Sequence, residues 1–329
     1  MQSSHDTSRP SPDFPGDFQA LRDEIGKLLV GQPDVVTLVL TALVTGGHVL
    51  LEGTPGVGKT LLAQVVAEVV GLSLQRIQFT PDLMPADIIG TYVVMENAQG
   101  RRTFEFQQGP LFAHMILADH INRGTPKTQS ALLEAMEGET VSVATEKFHL
   151  PQPYFVLATQ NPLEMDGTFP LPEPELDRFA FKLLMPGASD AEVEQILDRT
   201  TDIELPKVSA VVDGRRILEM RQAARQVALP PAMRQLAVAL TAATHPDHPR
   251  APEAIRRYVR YGSSPRGAQA IVLGAKVQAA AGGRAEVSAA DMHAVAHAAL
   301  RHRLVLNTEG QAEDIRPDRL IDDILAVRK

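Results

Sequence analysis

The sequence contains no cysteine, which excludes disulfides and zinc-thiolate sites and fits a reducing compartment. It also lacks an excess of positive charge. A formal net charge of −8 at pH 7 argues against nucleic acid as the default partner, because non-specific binding to a polyphosphate needs a basic face that releases counterions. The opening MQSSHDTSRPSPDFPGDF has no apolar core behind a positive stretch, so no secretory signal is read there and the cytoplasm is the expected location. No apolar run suffices for membrane insertion: Val35 to Leu51 comes nearest, and Gly46-Gly47 interrupts it short of the ~20 residues a span requires. What is present, 329 residues with 44% hydrophobic and 22% charged side chains, is the composition of a globular protein able to bury a large core in one or two domains.

The most informative stretch is HVLLEGTPGVGKTLL, from His48 to Leu62. A short apolar run predicts a buried strand, Gly53-Thr54-Pro55-Gly56-Val57-Gly58-Lys59-Thr60 has P-loop spacing, and Leu61 begins a helical pattern. The residue types follow from the chemistry. Gly56 and Gly58 let backbone N–H groups curl around phosphate oxygens, the helix N-terminus adds partial positive charge, Lys59 offers an ammonium to the outer phosphates, and Thr60 a hydroxyl to Mg²⁺. ATP and Mg²⁺ are therefore the expected cofactors.

Residues 1–16, rich in Ser, Pro, Asp and Gly, are expected to form a disordered tail. Helices are predicted from Phe18 to Leu29 and from Asp34 to Thr45. After the P-loop helix come a second strand, Leu74 to Phe79, and a third, Met115 to Asp119. Between them a loop runs from Thr80 to Gly90, followed by a hairpin within about 90–108. The third strand ends in an acid, placing Asp119 to hold Mg²⁺ through water. A helix from Pro126 to Met136, a second hairpin at about 139–150, a fourth strand from Tyr154 to Thr159 and a fifth near Ala180 to Leu184 complete an α/β pattern. Met185-Pro186-Gly187 marks a boundary, so the nucleotide-binding domain spans 17–186 and a region of helices only spans 187–329. Its helices are read at Ser189 to Arg199, with Glu192 completing a capping box, and at Gly214 to Gln226, Pro231 to Thr244, Pro265 to Ala280, Ser288 to His297 and Asp318 to Val327. The fold class is thus α/β, a parallel sheet covered by helices with ligand at the strand C-termini and an all-α lid packed over it.

Three further polar residues lie where an ATPase could use them. Asn161 follows the fourth strand and could orient water or simply open an Asn-Pro turn. Arg178 precedes the fifth strand, and Arg266 opens a lid helix, where a cation is unfavourable unless an anion compensates it.

Over Phe18 to Val327 the sequence resembles the MoxR family of AAA+ ATPases. The resemblance rests on Val30-Gly31-Gln32, GTPGVGKT at 53–60, RIQFTPDLMPADIIGT at 76–91, INRGTPKTQSALLEAMEG at 121–138, ATQNPLEMDGTFPLPEPELDRF at 158–179, SSPRGA at 263–268 and LRHRLVLN at 300–307. A magnesium-chelatase motor or a replicative helicase would share the architecture, but these stretches match MoxR better. The resemblance implies a ring, usually a hexamer, with ATP at subunit interfaces. The first hairpin would be the helix-2 insert and the second the pre-sensor-1 hairpin. Asn161 would be sensor 1, Arg178 the arginine finger and Arg266 sensor 2, acting in its own subunit or the next, with Gly31 and Gln32 near the adenine. It further implies a chaperone-like remodeler whose client is reached through a von Willebrand factor A domain adaptor.

The family's acidic strand ends Asp-Glu, whereas this one ends Asp119-His120. A neutral imidazole can accept a hydrogen bond from water but lacks the carboxylate's charge, and losing a placed general base costs ~10²–10⁴-fold. ATP binding is expected to persist. Glu164 could substitute, though a loop contact is the simpler reading. Two functions follow: a hydrolysing remodeler of reduced activity, or an ATP-binding scaffold or ATP-trapped ring.

Overall fold

The computed structural model describes residues 13–96, 102–143, 146–162, 167–201 and 206–326. The first described element is α1 (Phe14–Gly26), which starts four residues before the helix read at Phe18. Residues 13–16 therefore do not belong to a disordered tail. The Asp13 side chain accepts the Gly16 N–H, Pro15 sits in the first turn where its missing N–H costs nothing, and Phe14 is buried against Phe18, their rings 6.1 Å apart. Residues 1–12, the rest of the expected tail, lie outside the described residues.

The remaining α/β elements follow in order. They are α2 (Pro33–Thr45), β1 (Val49–Glu52), α3 (Lys59–Val69), β2 (Leu74–Gln78), the short α4 (Pro85–Ile89), β3 (Gly90–Glu96), β4 (Arg102–Gln108), β5 (Met115–Asp119), α5 (Pro126–Gly138), β6 (Thr140–Val143), β7 (Glu146–His149), β8 (Phe155–Gln160), the short α6 (Glu173–Leu176) and β9 (Phe181–Leu184). The stretch read as a loop, Thr80 to Gly90, thus contains a helical turn, as does Leu171 to Phe179, each set by proline near its start. Strands β2, β5, β8, β1 and β9 form one parallel sheet in that order. The pairs β3–β4 and β6–β7 form the two expected hairpins.

Alternation along the strands makes two apolar faces. Val49, Leu51, Leu117, Leu157, Phe181 and Leu183 join α1, α2 and α3, while Leu50, Ile116, Ala118, Val156 and Ala158 join Leu132, Leu133 and Met136 of α5. Each such side chain removed from water contributes roughly 1.5–3 kcal/mol, so the strand ends, and with them the site, are held rigidly.

The C-terminal region comprises α7 (Asp190–Thr200), α8 (Gly214–Gln226), α9 (Pro231–Ala242), α10 (Glu253–Tyr258), β10 (Val259–Tyr261), α11 (Pro265–Ala281), α12 (Ala289–Leu300), β11 (Val305–Leu306), α13 (Thr308–Ala312) and α14 (Pro317–Ala326). It is not made of helices alone, because β10 and β11 pair antiparallel. Strands of three and two residues carry too little alternation to be read from sequence. One continuous core joins this lid to the first domain, running from Leu21 and Leu40 through Leu51 and Phe181 to Ile271, Met292 and Ile324. Polar ties reinforce it: Arg221 donates to the Leu43 and Val44 carbonyls at the end of α2, and Arg199 to those of Gly26 and Lys27.

Candidate active site

The P-loop leaves the C-terminal end of β1. Gly53 is required by close approach, since a Cβ there would lie 2.9 Å from the Met185 carbonyl oxygen. Gly56 and Gly58 have φ of 85° and 95°, the left-handed region that costs an L-residue 1–2 kcal/mol or so but costs glycine almost nothing. Thr54, Pro55 and Gly56 are exposed, Val57 and Gly58 are half-buried, and α3 opens at Lys59. Lys59 is buried, and its Nζ donates to the Gly53 oxygen at 2.6 Å and the Thr54 oxygen at 2.8 Å. Thr60 and Leu61 follow in the first helical turn. A Cβ on Gly58 would touch Leu29 at 3.4 Å, which places the Val30-Gly31-Gln32 segment beside the loop. Gln32 is buried there, with its amide donating to the Pro186 carbonyl at 3.2 Å.

Asp119 ends β5, two strands from β1 with β8 between. Thr159 stands one residue beyond the paired Ala118 and Ala158, level with Asp119 and on its face of the sheet. Its hydroxyl donates to Asp119 Oδ1 at 2.7 Å and accepts the His120 N–H at 2.9 Å. From β2, Arg76 donates to Asp119 Oδ2 through Nη2 at 2.6 Å and Nε at 3.2 Å. Burial pushes the Asp119 carboxyl up, but the bonds from Thr159 and Arg76 outweigh it and hold the group below its ordinary range. Thr159 and Arg76 were not singled out from the sequence. Their signal is strand alternation combined with register, which no motif records.

His120 adopts the left-handed conformation, φ 55°, with Nε2 3.8 Å from Asp119 Oδ1. Asn161 is buried directly after β8. The ends of β1, β5 and β8 thus gather the P-loop, Asp119, His120 and Asn161. Glu164, the possible substitute base, lies outside the described residues. Among the described residues no group of three or more His, Asp or Glu could hold a metal. Thr60 and Asp119 suit an ion that takes most of its ligands from phosphate and water.

Arg178 and Arg266 are brought together, but elsewhere. Because every strand is parallel, Arg178 before β9 and His48 before β1 lie at the opposite end of the sheet from the P-loop, separated by a strand of ~3.3 Å per residue. There a cavity of about 380 Å³ is lined by His48, Glu137, Arg178, Arg225 and Arg266 among others. Arg178 donates to the Leu133 carbonyl at 2.8 Å. The segment carrying it is fastened to the lid by buried Arg303, which bonds the Asp177 carboxylate at 2.7 Å and the Asp177, Phe179 and Ala180 carbonyls.

Comparison with known proteins identifies the family. The pattern of the ATPase family associated with various cellular activities (AAA) matches residues 48–181, and that of the AAA lid domain matches 252–324. The chain is 39% identical over 302 residues to Chaperone MoxR1 of Mycobacterium tuberculosis, covering 92% of this chain and 79% of that protein. It belongs to the MoxR family of AAA+ ATPases. Protein MoxR of Methylorubrum extorquens is 31% identical over 318 residues, covering 92% of this chain and 90% of that one. The solved structure of a candidate ATPase from Cytophaga hutchinsonii superposes with a TM-score of 0.87 at 37% identity, covering 95% of this chain and 94% of that chain. In this MoxR-family chain the first match contains the P-loop, Asp119, Asn161 and Arg178, and the second contains Arg266 and Arg303.

Proposed function

We propose that this MoxR-family chain binds ATP with Mg²⁺ at the P-loop end of its sheet and hydrolyses it slowly, as one subunit of a hexameric ring that remodels a client protein in the cytoplasm. The carrying observation is the convergence of Lys59, Asp119, His120 and Asn161 at the ends of three adjacent strands. The residues fit the cofactor. Two glycines in left-handed conformation leave Gly56–Thr60 able to wrap phosphate oxygens, and Lys59 already lies over the loop on carbonyl oxygens that phosphate oxygens can replace.

When bound, ATP with Mg²⁺ supplies a phosphoanhydride whose cleavage by water gives ADP and phosphate. Thr60 and the ionised Asp119 would hold the metal, the latter through water, Asn161 would orient the attacking water, and the His120 imidazole would accept its hydrogen bond. Gly31 and Gln32 border the base. Arg178 and Arg266, at the far end of the sheet, are supplied in trans to the nucleotide of the adjacent subunit. The client is reached through a von Willebrand factor A domain adaptor, a partner class carried by the family resemblance alone.

His120 specifically favours a second reading, a ring held together by ATP that does not turn over. Phosphate release measured beside ATP-binding titrations separates the two. Native turnover that Lys59→Ala abolishes, and that His120→Glu raises by ~10²-fold or more, supports the slow motor. Binding without release, restored only by His120→Glu, supports the scaffold. Failure of the native chain to bind ATP sinks both.

A further inference from the structure

Glu137 lies in the last turn of α5 and divides its carboxylate between guanidinium groups from the two parts of the chain. Oε2 is 3.2 Å from Nη1 of Arg178, and Oε1 accepts from Nη2 of Arg266 at 2.6 Å. The two arginines are not equally secured. Arg178 also holds the Leu133 carbonyl, whereas the other carboxylate near the Arg266 guanidinium, Asp177, is 4.0 Å away. Asp177 is itself committed, accepting from buried Arg303 and from the Ser264 hydroxyl at 2.8 Å. Glu137 is different because its side chain is 51% exposed, so it can swing into water at little cost. All three groups line the 380 Å³ cavity together with Arg225.

We propose that Glu137 is a built-in counter-anion that occupies the Arg178–Arg266 pair until a phosphate group displaces it, and so sets the anion affinity of this cavity. The proposal rests on the reading that the pair serves a neighbouring subunit's nucleotide. An incoming phosphate meets guanidinium donors already engaged and a like charge within a few ångströms. Even screened as in bulk water, a unit charge about 4 Å away is worth about 1 kcal/mol, or about fivefold in affinity. The carboxylate therefore makes the arginine pair respond to a correctly placed phosphate rather than to any passing anion. It also keeps two guanidinium groups from different domains side by side, where they would otherwise repel.

The test uses inorganic tripolyphosphate titrated calorimetrically into the full chain carrying Lys59→Ala, which weakens the P-loop's share of the binding. Adding Glu137→Gln, a near-isosteric change, is expected to tighten binding roughly threefold to tenfold, and the gain should shrink at high salt. Glu137→Ala repeats the test if the Gln variant does not fold. Adding Arg266→Ala should cancel the gain. Unchanged or weaker binding after Glu137→Gln, a gain that survives Arg266→Ala, or no saturable binding in either chain overturns the proposal. The titration needs neither a ring nor hydrolysis, so a wild-type chain that fails to assemble sinks the ring reading without deciding the role of Glu137.

Discussion

His48 shows how a single buried side chain ties the site to solution conditions. It sits before β1, where it bonds the Met136 carbonyl through Nε2 at 3.1 Å and accepts the Val156 N–H at Nδ1, also at 3.1 Å. Those partners require the neutral ring protonated on Nε2. Burial drives its pKa from 6.5 down to about 4, and burial together with the Arg303 charge drives that of His302 well below 6.5. The unfolded chain binds these protons as the pH falls through 6.5 and the folded chain does not, so stability present above that pH is lost below it. For His48 the loss runs from 6.5 to about 4 and accumulates to about 3 kcal/mol. Urea unfolding at pH 7.5 and pH 5 should show it, and His48→Gln should lower stability at pH 7.5 while flattening the slope below 6.5. An equal slope in the variant would remove His48 from the account. At this scale much was legible in the sequence: Lys59, Asp119 and Asn161 come together as spacing and strand ends implied. Thr159, Arg76 and Glu137 were not, since each matters only through a partner distant in the chain.

The elements were largely readable, because binary patterning and caps act locally. The five strands of the parallel sheet, both hairpins and the capping box at Ser189 and Glu192 lie within a few residues of their predicted positions. What patterning could not reveal is that the two hairpins touch. Phe106 of β4 stacks on Phe148 of β7 with centroids 4.5 Å apart, Phe112 packs edge-on to both, and the Tyr92 hydroxyl donates to Glu146 at 2.8 Å. Aromatic pairs of this kind are worth ~0.5–1.5 kcal/mol beyond their buried area. Phe148→Ala should therefore raise amide exchange in β3–β4 as well as β6–β7, by roughly twofold to tenfold. A rise confined to β6–β7 would mean that the hairpins move independently. Coupled hairpins would pass a displacement on one to the other, which suits a machine that acts on a client.

At the scale of the whole molecule, the lid's position decides what one chain can do alone. Its helices share a core with α1, α2 and β9, and Arg303 anchors it to the segment before β9, away from the P-loop. The sequence could not give this placement, because amphipathic helices separated by more than a hundred residues can pack in several ways that leave the same pattern. The consequence is that Arg178 and Arg266 share an end of the sheet that Lys59 does not. The proposed head-to-tail ring would resolve the separation by setting one subunit's arginines against the next subunit's P-loop. Lys59→Ala removes the phosphate loop's ammonium and Arg178→Ala removes the arginine, so each alone should abolish turnover, both in a His120→Glu background that makes turnover easy to read. In an equimolar mixture that exchanges subunits, about one quarter of head-to-tail interfaces pair an intact loop with an intact arginine, and activity should return to about that fraction. Arginines acting within their own chain would leave the mixture inactive, since no subunit then carries both groups. Recovery would place the working site between subunits, and its absence in a mixture shown to exchange would return Arg178 to its own chain, acting there or bracing the structure beside Leu133 and Glu137.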